Sequence, residues 1–206
     1  GFVSNKPIAK KITLNLVKHS RQRGKDSSGL IFLQNSNYTV FRADYDVVKL
    51  LSEMQPFSSN VLLGHSRLIT NGLSDNQPVV REGVCVIHNG IIVNHELIWE
   101  QIDKKRELQI DSEIIAAITN DSLDKGLDIL TIPDRILSLC KGVVACALLI
   151  PRLGKLCLFS NNGSLYHGVL DGAHFFASEQ YPLTLAGCSN IVQVKKAIFL
   201  DVPSNT

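Results

Sequence analysis

A fixed cation, two adjacent hydrogen-bond donors and an acid fall within residues 67–111: Arg67, the pair Asn89-Gly90, and Asp111. Arg67 carries a permanent charge on a planar fork that suits a carboxylate or a phosphate. Asn89 offers a side-chain NH₂, and Gly90 offers an N–H that no side chain shields. Two such donors side by side at the end of a strand can hold a developing oxyanion. Asn-Gly is also a common turn signal, so an ordinary hairpin turn beside a surface arginine is the competing reading of the same residues.

The elements that must position these groups follow from hydrophobic patterning. Val61–Leu63 and Val84–Ile87 are apolar strand-like runs, each leading into a polar turn that carries the candidate residues. Gly1–Ser4 suits a short strand, and Pro7 to Arg21 a helix with Pro7 in its first turn and Ile8, Ile12, Leu16 and His19 at helical spacing. Leu30–Leu33 and Tyr38–Arg42 form a hairpin, and Val47–Met54 a short helix. Asn94 is placed to cap a helix that buries Leu97, Ile98 and Ile102; Asp111 is placed to cap one that buries Ile114, Ile115 and Ile118. Ser122–Leu130 and Pro133–Lys141 suggest two further helices. Val143–Ile150, Lys155–Ser160, Ser164–Leu170, His174–Ala177 and Ile191–Leu200 suggest closing strands. Strands, then helices, then strands, without long βαβ alternation, predict an α+β sandwich. The absence of repeats and linkers predicts one domain over 1–206.

Composition narrows the function classes. A net charge of +2 with mixed signs argues against a nucleic-acid surface. No run of 18 apolar residues is present, and the start lacks the apolar core of a signal peptide, so neither a membrane partner nor export is expected. The five cysteines, Cys85, Cys140, Cys146, Cys157 and Cys188, include no CxxC pair and sit mostly in apolar runs, which fits reduced thiols in a cytoplasmic protein. His65, His88 and His95 lack metal-ligand spacing and read as structural histidines. No metal and no cofactor is expected. Lys104-Lys105-Arg106 reads as the solvated end of a helix.

Four stretches together resemble the class II, N-terminal-nucleophile glutamine amidotransferases: Arg23–Leu30 (RGKDSSGL), Gly64–Gly72 (GHSRLITNG), His88–Leu97 (HNGIIVNHEL) and Asp111-Ser112-Glu113, in the family's order. The nearest resemblance is to the glutaminase domains of glucosamine-6-phosphate synthase and glutamine phosphoribosylpyrophosphate amidotransferase. It implies a four-layer αββα fold. It also implies hydrolysis of the side-chain amide of L-glutamine to glutamate and ammonia, with the ammonia passed to a synthase domain or subunit. Residue by residue, it implies that Arg67, helped by Thr70 and Asn71, holds the α-carboxylate and Asp111 the α-ammonium. Asn89 and Gly90 would form the oxyanion hole, and Arg23 would order the site near the N-terminus.

The same family opens Cys-Gly-[IF]-x-G, and Gly1-Phe2-Val3 aligns just after that cysteine. The resemblance therefore implies a nucleophilic cysteine directly before Gly1. Three accounts stay open: a cysteine present but chemically modified, a cysteine removed, or a natural glutamine-binding or regulatory subunit that keeps the pocket without the nucleophile. The number of matching pocket residues favours the first two. Leu68, Asn71 and Ser4 also depart from the family pattern, in ways that bear on loop closure rather than on glutamine binding.

Overall fold

A computed structural model describes residues 1–20, 22, 24–34, 37–54, 58–67 and 76–203. Among them, two antiparallel sheets stack face to face. The larger has the order β11-β9-β10-β1-β4-β2-β3, and the smaller β12-β8-β7-β6-β5. The strands of the first are β1 (Phe2–Ala9), β2 (Ser27–Gln34), β3 (Asn37–Ala43), β4 (Ser58–Arg67), β9 (Tyr166–Leu170), β10 (Ala173–Ala177) and β11 (Ser189–Gln193). Those of the second are β5 (Val79–Arg81), β6 (Val84–Ile92), β7 (Gly142–Ile150), β8 (Lys155–Ser160) and β12 (Ile198–Asp201).

Period-two alternation divides each strand between two cores. In β6, Cys85 and Ile87 face the other sheet while Val84, Val86 and Ile92 face helices. In β4, Val61 and Leu63 face the inter-sheet core and Leu62 the helical side. Helices α1 (Lys10–Ser20), α2 (Val47–Glu53) and α6 (Gln180–Ala186) cover the larger sheet. Helices α4 (Glu113–Asp124) and α5 (Ile132–Leu139), with the short α3 (His95–Trp99), cover the smaller. The result is the expected αββα order of layers. No helix among the described residues is long and apolar enough to cross a membrane.

Several local expectations are corrected. Pro7 lies in β1, not in a helix: it falls where the pairing with β4 shifts register between Val3 and Ile8, a place where a missing N–H is tolerated. Both signature runs continue as strands, β4 through Arg67 and β6 through Ile92, so Asn89-Gly90 is not a turn. The helix after Asn94 is only one turn long and leaves Leu97 exposed. The Asn94 side chain joins Leu139 O at 2.9 Å and Lys141 N at 2.6 Å instead of capping. The Ser122 to Leu130 stretch is the end of α4 and a 3₁₀ turn. Ile191–Leu200 splits between β11 and β12, in different sheets. Lys104-Lys105-Arg106 lies outside any helix, where Lys104 pairs with Glu82 at 2.6 Å and Asp124 at 2.7 Å, and Arg106 pairs with Glu96.

One buried ion pair ties these layers together. Glu113, 0% exposed, binds Arg81 of β5 and also accepts the N–H groups of Glu107 at 3.0 Å and Leu108 at 2.9 Å. It thereby fixes the loop that leads to Asp111. Glu113→Ala removes the one buried carboxylate from Arg81, leaving it only the more exposed Glu82 and Glu107 at 3.3 Å each, and unpairs two amides, so it is expected to lower stability by about 3–5 kcal/mol in urea unfolding. A loss below about 1 kcal/mol would contradict this account.

Candidate active site

The site is built at the open edge of β6. Strand β5 pairs only with residues 84–86 of β6. On its other side β6 is bonded to β7 as far as Ile92, and the ladder continues with Val93 N–H to Lys141 O at 2.9 Å. Because N–H groups alternate between the two edges of a strand, those of His88, Gly90 and Ile92 face away from β7. Side chains meet two of them. Gln77 Oε1 accepts the His88 N–H at 2.7 Å, and Asp111 Oδ2 accepts the Ile92 N–H at 2.8 Å. The Gly90 N–H, between them, has no side-chain acceptor among the described residues. A side chain cannot stand at Gly90: a Cβ there would lie 1.9 Å from Val143 O, and the backbone φ is +150°.

Alternation then brings the remaining groups together. His65 and Arg67 of β4 share the inter-sheet face of Val61 and Leu63, and Asn89 of β6 shares that of Ile87. Arg67, Asn89, Gly90 and Asp111 all line one open cleft of about 990 Å³, with Gly1 on its wall. Arg23, Thr70 and Asn71, also expected at the site, lie outside the described residues. The small apolar side chains Ala145 and Ala147, with Leu165 and Phe176, back the cleft.

The sequence reading did not single out Ser112 or Gln77, which hold this edge together with His88. Ser112 Oγ lies 2.9 Å from His88 Nδ1 and 3.4 Å from Asp111 Oδ1. Gln77 Nε2 donates to His88 O at 2.8 Å and approaches Ser112 Oγ at 3.3 Å. His88 Nε2 lies 3.0 Å from Val143 O, a carbonyl that can only accept. His88 therefore carries its proton on Nε2 and receives the Ser112 hydroxyl on Nδ1. This is the structural histidine expected from the sequence. The polar pair Asn76-Gln77 before an apolar strand, and the middle serine of Asp111-Ser112-Glu113, were the available signals for the others. No cluster of three metal-binding side chains occurs among the described residues.

Gly1 extends β1 along β10. Its nitrogen donates to Phe176 O at 2.7 Å, and Phe176 N–H returns a bond to Gly1 O at 2.9 Å. Burial pushes the Gly1 amine down to about 4. Burial, and then the charges of His88 and Arg67, push His65 down to about 3, and its buried Nδ1 has no hydrogen-bond partner among the described residues. His88 is lowered chiefly by burial. The cleft thus joins a cation, an anion, neutral imidazoles and an open amide, a set able to orient a zwitterion and stabilise an oxyanion beside it.

Comparison with known proteins identifies the family. A family profile described as a glutamine amidotransferase domain matches residues 65–184. The chain is 28% identical over 179 residues to glutamine–fructose-6-phosphate aminotransferase (isomerizing) of Helicobacter pylori, covering 82% of this chain and 30% of that one. It is 28% identical over 195 residues to the protein of the same name from Xylella fastidiosa, covering 90% and 31%. The chain thus spans about a third of the length of these curated relatives. Glutamine phosphoribosylpyrophosphate amidotransferase from B. subtilis shares the fold, with a TM-score of 0.75 at 20% identity, over 97% of this chain and 46% of that one.

The two lowered histidines set an acid limit. Unfolded, each takes up a proton near pH 6.5; folded, each stays neutral to lower pH. Their contribution to stability is complete above pH 6.5 and is lost as pH falls, toward about 3 for His65. Between pH 6.5 and 5 the slope from His65 should approach about 1.4 kcal/mol per pH unit, with His88 adding in the same direction. Urea midpoints should record that slope, and His65→Gln should remove its share.

Proposed function

The chain belongs to the family of glutamine amidotransferase domains, and from that premise we propose that it hydrolyses the side-chain amide of L-glutamine to glutamate and ammonia. The observation that carries this reading is the open Gly90 amide beside Asn89, between a cation and an anion in one cleft. Arg67 takes the α-carboxylate in a bidentate grip. Asp111, with one oxygen already anchored on Ile92, takes the α-ammonium. These two contacts set the amide carbonyl against Asn89 Nδ2 and the Gly90 N–H.

The nucleophile is the thiol of a cysteine directly before Gly1, with that cysteine's α-amine as base. Attack forms the carbon–sulfur bond and moves the carbonyl electron pair onto oxygen, where the two donors meet it. Collapse expels the amide nitrogen as ammonia, with the proton that the α-amine took from the thiol. Water then cleaves the thioester to glutamate and restores the thiol. Two features support the position of this cysteine. The Gly1 nitrogen donates to Phe176 O as a strand amide would, at the wall of the cleft. The internal cysteines are a poor alternative: burial pushes Cys85 and Cys140 up to about 12 and raises Cys146 and Cys157 as well, while the half-buried Cys188 is also raised.

The ammonia then serves an acceptor on a synthase domain or subunit, of the amino-sugar or nucleotide-precursor type named in the relatives. Residues 1–206 act as one glutaminase domain, and the free cysteines support a reducing, cytoplasmic setting.

Intact mass and a glutamate-release assay test the proposal together. The expected result is one cysteine more than the sequence from Gly1, and turnover of glutamine. Arg67→Ala and Asp111→Ala should each raise KM about 10–100-fold, the loss of one charge-assisted contact. Glutamine binding without turnover would replace the enzyme with a glutamine-binding subunit, and wild-type kinetics in both variants would overturn the residue roles.

A further inference from the structure

The Gly90 amide is open because the strand beside it stops, and the residue that stops it is Gln77. The β5–β6 register pairs Val79 with Val86 and Val80 with Cys85. Extended by two residues, it puts Gln77 opposite His88; extended by four, it would put main chain opposite Gly90 and consume its N–H. Among the described residues the ladder begins at Val79 and does not include Gln77. At position 77 the side chain takes over the work of the backbone. Its Oε1 accepts the His88 N–H at 2.7 Å and its Nε2 donates to His88 O at 2.8 Å, the same two bonds a paired strand residue would make.

The segment is meanwhile held on the opposite sheet, by the Asn76 side chain and by the carbonyls of Gln77 and Pro78. Asn76 Nδ2 donates to Ser28 O at 3.0 Å, and Arg42 donates to Pro78 O at 3.0 Å from Nε and 2.6 Å from Nη2. The Gln77 carbonyl passes so close to Gly29 that a Cβ there would lie 1.8 Å from its oxygen. Residues 76–78 therefore form a strap with its backbone on β2 and β3 and one side chain reaching across to β6. Gln77 is 5% exposed, so an apolar replacement leaves the His88 amide and carbonyl unsatisfied.

We propose that Gln77 is a positioning residue for the oxyanion hole: its side-chain amide stands in for a neighbouring strand at His88, registers β6, and leaves the Gly90 N–H free to face the substrate. It does not touch glutamine. This rests on the glutaminase reading above for its kinetic consequence, but not for its structural one.

The test uses the full-length protein. Gln77→Met, close in size and unable to hydrogen-bond, should lower kcat about 10–100-fold with KM for glutamine within about threefold, because Arg67 and Asp111 still bind the substrate. The aldehyde analogue of glutamine, which forms a tetrahedral adduct, should lose affinity by the same factor as kcat. Gln77→Glu restores both bonds only when its carboxyl is protonated, so its kcat relative to wild type should rise as pH falls; it also serves if Gln77→Met does not fold. Amide exchange should show His88 protected in the wild type and unprotected in Gln77→Met, with β7 and β8 unchanged. Unchanged kcat, a KM rise in place of the kcat loss, or retained His88 protection would overturn the proposal. A wild-type protein that does not hydrolyse glutamine defeats the glutaminase reading alone, and the exchange measurement still decides the role of Gln77.

Discussion

Main-chain amides that leave water must find partners, and at one edge of β6 that requirement organises the whole site. On that edge the strand pairs with β5 at residues 84–86 and, among the described residues, with no strand beyond. Gln77 satisfies His88, Asp111 satisfies Ile92, and Gly90 is left between them. The acid and the open donor are therefore not independent features. Asp111 is held on the same strand whose amide would receive the oxyanion, so their relative position is set by two residues of β-strand, among the stiffest spacings a chain offers.

Polar groups buried behind this edge make the arrangement specific. Ser112 lies between His88 and Asp111, and Glu113 joins Arg81 and the two amides of the approaching loop. Three consecutive residues thus point to three different tasks, one into the cleft, one under the strand and one into the helical layer. A network of this kind contributes little net stability over an apolar core, but a half-satisfied version is costly. Its effect is to exclude alternative registers of the loop against β6.

Much of this was legible in the sequence, unevenly. Apolar runs located nearly every strand, and three short motifs marked Arg67, Asn89, Gly90 and Asp111, which do share one cleft. What failed was the local meaning of individual signals. Asn89-Gly90 carries turn chemistry, yet the glycine is needed in a strand because Val143 O crowds its Cα. Pro7 and Asn94 read as helix punctuation and serve instead at a register shift and as a bridge to Leu139 and Lys141. Helix α6 was missed because Pro182 falls at its third position and only Pro182 and Leu183 are buried, so no apolar stripe marks it. Gln77 was illegible for a different reason. A side chain that imitates a backbone has no pattern of its own, and only the register of β5 on β6 reveals it.

The imitation has an evolutionary corollary. A strand edge closed by backbone can be opened only by rerouting several residues at once. An edge closed by a side chain is under the control of a single codon. Substitution at position 77 can therefore change how the edge of β6 is presented while the twelve strands and their cores stay as they are. A scaffold with such a point of control can gain, lose or retune chemistry in small mutational steps, and descendants that have abandoned catalysis could keep both the fold and the pocket.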